Sequence, residues 1–291
     1  MSRPSFASRT VLVTGASRGL GLSIAEAFWE RGADLFLVAR CEDALAAIAS
    51  RLLQQCPTQR IGFLSVDLSN KGAAERIFAQ LRDFTDRLDV VVNNAAILGP
   101  IGPFSTNDWA AWENTLQVNF LAPAAICQVT VSWMQAGGVI LNISGGGATA
   151  PRPFFSAYSA AKAALVRLSE TLASEVKPLG IRVNCIAPGA MNTQMNTAVL
   201  LAGPDLVGEI EHRKAIEHGK VVTPPEVPAE LAVYLASDEC SAVTGRLISA
   251  EWDPWRNLHS RGQELEESDI YTLRRIVPED RGFEWGGEAP Q

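Results

Sequence analysis

Residues Thr10 to Gly21 read TVLVTGASRGLG. A short run of β-branched and aliphatic residues stops at a glycine-bearing loop, and a helical window, Gly21–Arg31, opens directly after it. Gly15 permits a tight turn, whereas Gly19 and Gly21 let the backbone come close to a pyrophosphate at the start of the helix. Unpaired N–H groups and the helix dipole favour an anion at that point. A plain glycine turn capping a helix needs similar residues, so the pattern gains its meaning from the rest of the chain.

The same strand–helix unit recurs along the sequence. Asp34–Ala39, Ile61–Val66, Leu88–Asn93, Val139–Ser144, Ile181–Ile186 and Arg246–Ser249 read as further buried strands. Helical windows run over Asp43–Gln54, Ala73–Phe84, Asp108–Met134, Ser156–Lys177 and Pro228–Ala236. Near-continuous apolar strands alternating with helices predict an α/β fold, a doubly wound (Rossmann) parallel sheet covered on both faces, with right-handed crossovers. Residues 1–250 form one dinucleotide-binding and catalytic domain in this reading. Residues 190–225, expected to be irregular apart from one polar helical stretch, form a substrate lid that mixes Met191, Met195, Leu200 and Leu201 with polar residues. Residues 251–291 form a charged C-terminal extension without clear period.

Composition narrows the function. The chain has 291 residues, 47% hydrophobic and 20% charged, with a net charge of −7. That balance argues against a nucleic-acid binder. No apolar run reaches the length of a membrane span, and the first residues carry no hydrophobic signal core, so the expected location is cytoplasmic. Cys41, Cys56, Cys127, Cys185 and Cys240 are odd in number and unpaired in spacing, which predicts buried free thiols in a reducing compartment. His212, His218 and His259 lack metal-ligand spacing, so no metal site is expected.

Thr14–Gly21 spaces its glycines as T-G-x-x-x-G-x-G, Asn93–Ala95 reads NNA, and Tyr158–Lys162 reads Y-x-x-x-K. These three motifs, in this order, resemble the short-chain dehydrogenase/reductase family over residues 8 to 250, and the glycine spacing resembles its reductase branch. The resemblance implies that Gly15, Ser17, Arg18, Gly19, Leu20 and Gly21 cradle a nicotinamide dinucleotide. It also implies that Asp67 and Leu68 flank the adenine, Asn94 and Ala95 line the crevice, and Thr193, after Pro188-Gly189, binds the carboxamide. Asp67 suits a helix-capping role equally well. Where an acid would hold a ribose 2′-hydroxyl, the second strand ends in Ala39 and Arg40. A missing acid together with Arg40 and Arg18 points to NADP over NAD, because a guanidinium fork suits a phosphate.

Tyr158 and Lys162 lie four apart and share a helix face. A free phenol titrates near pH 10. A neighbouring ammonium and an oxidised nicotinamide would lower that value, which makes Tyr158 the expected general acid/base. By resemblance, Lys162 also holds the nicotinamide ribose, and Asn119 supports a water relay to it. A polar kink in a buried helix is the other reading of Asn119. The family's carbonyl-binding serine stands thirteen residues before the tyrosine, where this chain has Gly145; Ser144 is fourteen before. Either the glycine loop carries one extra residue and Ser144 reaches the site, which is the favoured reading, or Gly145 has replaced the serine.

The expected function is therefore NADP(H)-dependent hydride transfer between nicotinamide and a small-molecule carbonyl or alcohol. The alternatives are a non-catalytic nucleotide-sensing or scaffold protein, or oxidation or epimerisation of a sugar-like substrate through a keto intermediate. Family resemblance implies a homodimer or homotetramer built through the fourth and fifth helices. The extension, with Trp252, Trp255 and Trp285, either packs over its own subunit or crosses the mouth of a substrate cleft.

Overall fold

Seven runs become strands of one sheet, and the central ones bury side chains on both of its faces. They are β1 (Thr10–Thr14), β2 (Asp34–Ala39), β3 (Ile61–Ser65), β4 (Val90–Asn93), β5 (Val139–Ile143), β6 (Arg182–Ala187) and β7 (Leu247–Ser249). In this computed structural model, which describes residues 5–191, 193–218 and 222–285, all pairings are parallel and the order is β3-β2-β1-β4-β5-β6-β7. The helices are α1 (Gly19–Trp29), α2 (Glu42–Gln55), α3 (Ala73–Phe84), α4 (Trp109–Leu116), α5 (Ala122–Val131), α6 (Ser156–Val176), α7 (Gln194–Val207), α8 (Glu209–His218), α9 (Glu226–Ala236) and α10 (Gly262–Glu266).

Period-two alternation divides every central strand between two cores. Val11, Val13, Val90, Val92, Leu141 and Ile143 pack on the side of α1, α2 and α9. Leu12, Val91 and Ile140 pack on the opposite side against α3, α5 and α6. Each buried aliphatic side chain of this kind stabilises the fold by about 1.5–3 kcal/mol relative to exposure. The doubly wound α/β sheet expected from the sequence is the observed one.

Three expectations need correction. The single helix expected over Asp108–Met134 is divided: α4 and α5 are joined by a π-helical turn, Gln117–Leu121. Pro123 has no N–H to offer the carbonyl of Asn119, so the ladder shifts by one residue, and Ala122 N–H donates to the Gln117 carbonyl. The lid holds two helices, α7 and α8, instead of one polar stretch. Gly203, at φ +73°, and Pro204 interrupt α7 and hide its period, but Val199 and Val207 are buried against Leu98, Phe155 and Tyr158. Residues 192 and 219–221 of the expected lid lie outside the described residues. The thiols are all free, but only Cys127, Cys185 and Cys240 are buried; Cys41 is exposed and Cys56 half-buried.

The extension packs on its own subunit. Trp255, Leu258 and Leu265 join the core on the α9 side, and the Trp255 indole donates to the Ala250 carbonyl at 3.1 Å. β7 has an open edge, and residues beyond it close that edge: Leu247 N–H donates to Tyr271 O at 2.8 Å and Ser249 N–H to an Asp253 carboxylate oxygen at 2.6 Å. Arg246, nearly buried, donates to the carbonyls of Leu265, Ser268 and Ile270. Replacing Arg246 by Met removes a charged donor from three carbonyls and should lower unfolding free energy by about 2–4 kcal/mol. Urea denaturation checks this, and a loss below half a kcal/mol would show that the extension is only loosely held.

Candidate active site

The sheet order reverses between β1 and β4, and a cleft opens beyond the carboxyl ends of those strands. Thr14 ends β1, and its hydroxyl accepts from Asn94 N–H at 3.0 Å and Ala95 N–H at 3.1 Å. The Asn94 amide returns a bond to the Thr14 carbonyl at 2.9 Å. The glycine loop is locked around this contact. A Cβ on Gly15, at φ +67°, would stand 2.8 Å from the Asn94 amide nitrogen, and one on Gly21 only 2.3 Å from the Gly15 carbonyl oxygen. Asn94 thus holds the loop as well as lining the crevice. α1 starts with no side-chain cap and no acidic residue in its first turn, so its N-terminus meets the cleft as a site for an anion.

The cleft has a volume of about 580 Å³. It brings together Gly15, Ser17, Arg18, Gly19, Leu20, Gly21, Arg40, Asp67, Leu68, Asn94, Ala95, Ser144, Tyr158, Lys162, Pro188 and Thr193. Two expected residues do not line it, Asn119 and Gly189. Asn119 is fully buried, and its amide is committed to Ile97, accepting from Ile97 N–H at 2.8 Å and donating to the Ile97 carbonyl at 2.7 Å. Gly189, at φ +88°, packs where a Cβ would meet Thr223 and Glu251 oxygens at 2.5 Å. Among the described residues of the extension none lines the cleft of its own subunit.

At one end Arg18 and Arg40 are exposed and Asp67 makes a local turn, its carboxylate accepting from Ser69 N–H at 2.9 Å. That bond holds the Asp67 carboxyl below its ordinary value against the opposing effect of burial, with help from Arg40. At the other end Tyr158 and Lys162 are both buried on α6. Lys162 Nζ donates to the Ile143 carbonyl at 2.7 Å and lies 5.8 Å from the centre of the Tyr158 ring. Burial pushes Lys162 down to about 8. Burial also raises the Tyr158 phenol, with the charge of Arg152 opposing, so desolvation here outweighs the lowering expected from the lysine.

Ser144 stands just past β5, with a hydroxyl that is buried and, among the described residues, has no hydrogen-bond partner. At Gly145 a Cβ would lie 2.3 Å from the Tyr158 hydroxyl, so the phenol already fills the space where a side chain at 145 would begin.

Sequence reading missed the polar chain that aligns these parts. Asn93 donates to Asn142 Oδ1 at 2.8 Å, and Asn142 donates to Ser169 Oγ at 2.7 Å, which joins β4 and β5 to α6. The signal was an asparagine inside each of two otherwise apolar strands. Among the described residues no cluster of His, Cys, Asp or Glu could hold a metal ion, and no helix is long and apolar enough to cross a membrane.

A family model described as Enoyl-(Acyl carrier protein) reductase matches residues 15–251. The 3-oxoacyl-acyl-carrier-protein reductase FabG of Chlamydia trachomatis is 34% identical over 251 residues, 84% of this chain and 96% of that protein. A short chain dehydrogenase of Monascus purpureus is 31% identical across 92% of this chain and 89% of its own length, an alignment too long to end within residues 1–250. The structure of L-sorbose reductase from Gluconobacter frateurii, complexed with NADPH and L-sorbose, superposes with a TM-score of 0.76 at 27% identity, covering 85% of this chain and 96% of that one. The chain belongs to the short-chain dehydrogenase/reductase family and is an NAD(P)-dependent oxidoreductase.

A buried lysine whose pKa in the fold lies below its unfolded value of 10.5 leaves the unfolded chain holding more protons in between, so stability rises with pH over that window. Relative to a Lys162→Met variant, the natural protein should gain about 2 kcal/mol between about pH 7.5 and about pH 9.5. Parallel urea titrations at the two pH values check this; an unchanged difference would mean that Lys162 is not desolvated.

Proposed function

We propose that the protein is an NADP(H)-dependent carbonyl reductase or alcohol dehydrogenase, with Tyr158 as its general acid/base. The observation that carries this reading is the convergence of Tyr158, Lys162 and the partnerless Ser144 hydroxyl at one end of a cleft whose other end carries Arg18 and Arg40. An uncapped helix N-terminus and a glycine loop too tight for any Cβ at residues 15 and 21 fit the diphosphate of a dinucleotide between them.

Bound there, the reduced nicotinamide supplies the hydride, and the chain positions the carbonyl and delivers the proton. Ser144 donates to the substrate oxygen, and Tyr158 gives it the phenolic proton. Lys162, held by the Ile143 carbonyl, keeps a positive group behind the phenol. Asn119 works from behind the site, fixing the turn at Ile97 from within the π-helical turn. Pro188 and Thr193 carry the carboxamide end, Gly189 turns the chain behind them, and α7 packs over Tyr158 with Met195 and Val199.

Two experiments test the proposal. NADPH should bind more tightly than NADH, and Arg40→Asp should cost NADPH about 1.5–3 kcal/mol while sparing NADH. Equal affinities in the natural protein would remove the phosphate assignment. In a screen of carbonyls, Tyr158→Phe should abolish turnover with NADPH binding nearly intact, and Ser144→Ala should lower kcat about 10²–10³-fold. Unchanged kinetics in Ser144→Ala would assign the oxygen contact to the backbone or a water at Gly145.

A further inference from the structure

The loop between β5 and α6 carries one charged side chain that the proposed chemistry leaves unused. Arg152 lies on it, beside and not among the residues that line the cleft, and is 23% exposed at its side chain. A Cβ at Gly146 would be 3.9 Å from Arg152 Nη1, just as a Cβ at Gly145 would touch the Tyr158 hydroxyl. Two neighbouring residues without side chains therefore separate a guanidinium from the reacting phenol, and nothing of their own stands between the two groups. Arg152 is also the one charge that opposes the upward push of burial on Tyr158.

The guanidinium is held by a ring and by a carboxylate. Its plane lies over the Phe155 ring at 4.0 Å from the centroid, and Phe155 is fully buried. Its Nε donates to a Glu211 carboxylate oxygen at 2.9 Å, and the other oxygen of Glu211 accepts from Lys214 at 2.7 Å. Burial would raise the Glu211 carboxyl, but hydrogen bonds from Lys214 and Arg152 outweigh it, so the group stays ionised. The loop itself is pinned: Phe154 sits at φ +69°, its carbonyl accepts from Gly102 N–H at 3.0 Å, and its ring packs at Gly208 between α7 and α8. Among the described residues, neither terminal nitrogen of Arg152 makes a hydrogen bond to the chain. With Lys214, Arg152 and Glu211 the cluster carries one net positive charge, in a protein whose net charge is −7.

The remaining wall is apolar. Leu98, Ile101, Phe154, Phe155, Met195 and Val199 form one apolar cluster with Tyr158, and Met195 of that cluster lines the cleft. From this arrangement we propose that Arg152 determines specificity: the substrate is a carbonyl compound with an apolar body and a carboxylate, which takes the free fork of the Arg152 guanidinium while its carbonyl faces Tyr158. Glu211 is then the positioning residue that turns the fork toward the cleft. With Nε taken by Glu211, the Nη1/Nη2 edge of the planar fork is left, and it is matched to a carboxylate, its rigidity limiting the entropy lost on binding. The inference rests on the reductase reading of the same cleft.

The test separates the two. Binding of 4-formylbenzoate and of its methyl ester is measured by calorimetry to the protein saturated with NADP⁺, where no reduction can occur. The carboxylate should bind at least about tenfold more tightly than the ester. Arg152→Met should erase that difference, Arg152→Lys should restore part of it, and the ester and NADP⁺ should bind all three proteins alike. Glu211→Gln should weaken the carboxylate and leave the ester unchanged. Turnover with NADPH is measured next: in Arg152→Met the loss should fall on KM for the carboxylate, with kcat for the ester retained. Equal binding of acid and ester by the natural protein, or equal losses for both in Arg152→Met, overturns the specificity role. Carboxylate-selective binding without turnover of either compound would leave the anion site standing and remove the reductase reading instead.

Discussion

The hydroxyl of Thr14, accepting from two consecutive backbone N–H groups at Asn94 and Ala95, is the contact on which the site depends. It joins the ends of β1 and β4 at the place where the winding of the sheet reverses. The Asn94 amide closes the same knot from the other side, and the glycine loop has room only because residues 15 and 21 lack a Cβ. From β4 the alignment continues through Asn93 and Asn142 to Ser169, so the helix that bears Tyr158 and Lys162 is registered against the same point. Buried polar chains of this kind are costly when broken, since each member would be left without a partner. They also admit only one mutual arrangement of the strands and the helix.

The strands were legible in the sequence because both faces of a central parallel strand are apolar, and a run such as Val90–Val92 has no other use. The glycine loop and the Tyr–Lys pair were legible because their spacing is local. The lid helices were not. Gly203 and Pro204 break their period, and what holds them is distant packing on Phe155 and Tyr158. The π-helical turn after α4 was legible only as a polar kink, one of the two readings of Asn119, since Pro123 acts on the backbone four residues earlier and on no side chain. Arg152 reads as an ordinary loop cation until the fold sets it beside Gly146.

The loop of three glycines, Gly145 to Gly147, has a physical logic of its own. Tyr158 leans into the space over Gly145, and Ser159 into the space over Gly147, where a Cβ would meet its hydroxyl at 2.2 Å. Side chains of α6 thus fill the volume that the loop gives up. The loop can lie close on the first turns of α6 only because it is bare, and this closeness is what brings Ser144 and the phenol to one wall of the cleft.

The closure of the β7 edge has a consequence for how the chain reaches its final form. Leu247 and Arg246 find their partners in residues 265–271, and Glu170 on α6 accepts from Leu273 N–H. These residues leave the ribosome only after all seven strands. Until they emerge, the sheet ends in a strand with an unpaired edge and a guanidinium without its carbonyls, the kind of surface that recruits chaperones or a second nascent copy. A stop codon or a proteolytic cut shortly after Asp253 would make that interval permanent. The sheet edge therefore closes only once residues 265–273 have been made, and a chain halted before them keeps that edge open.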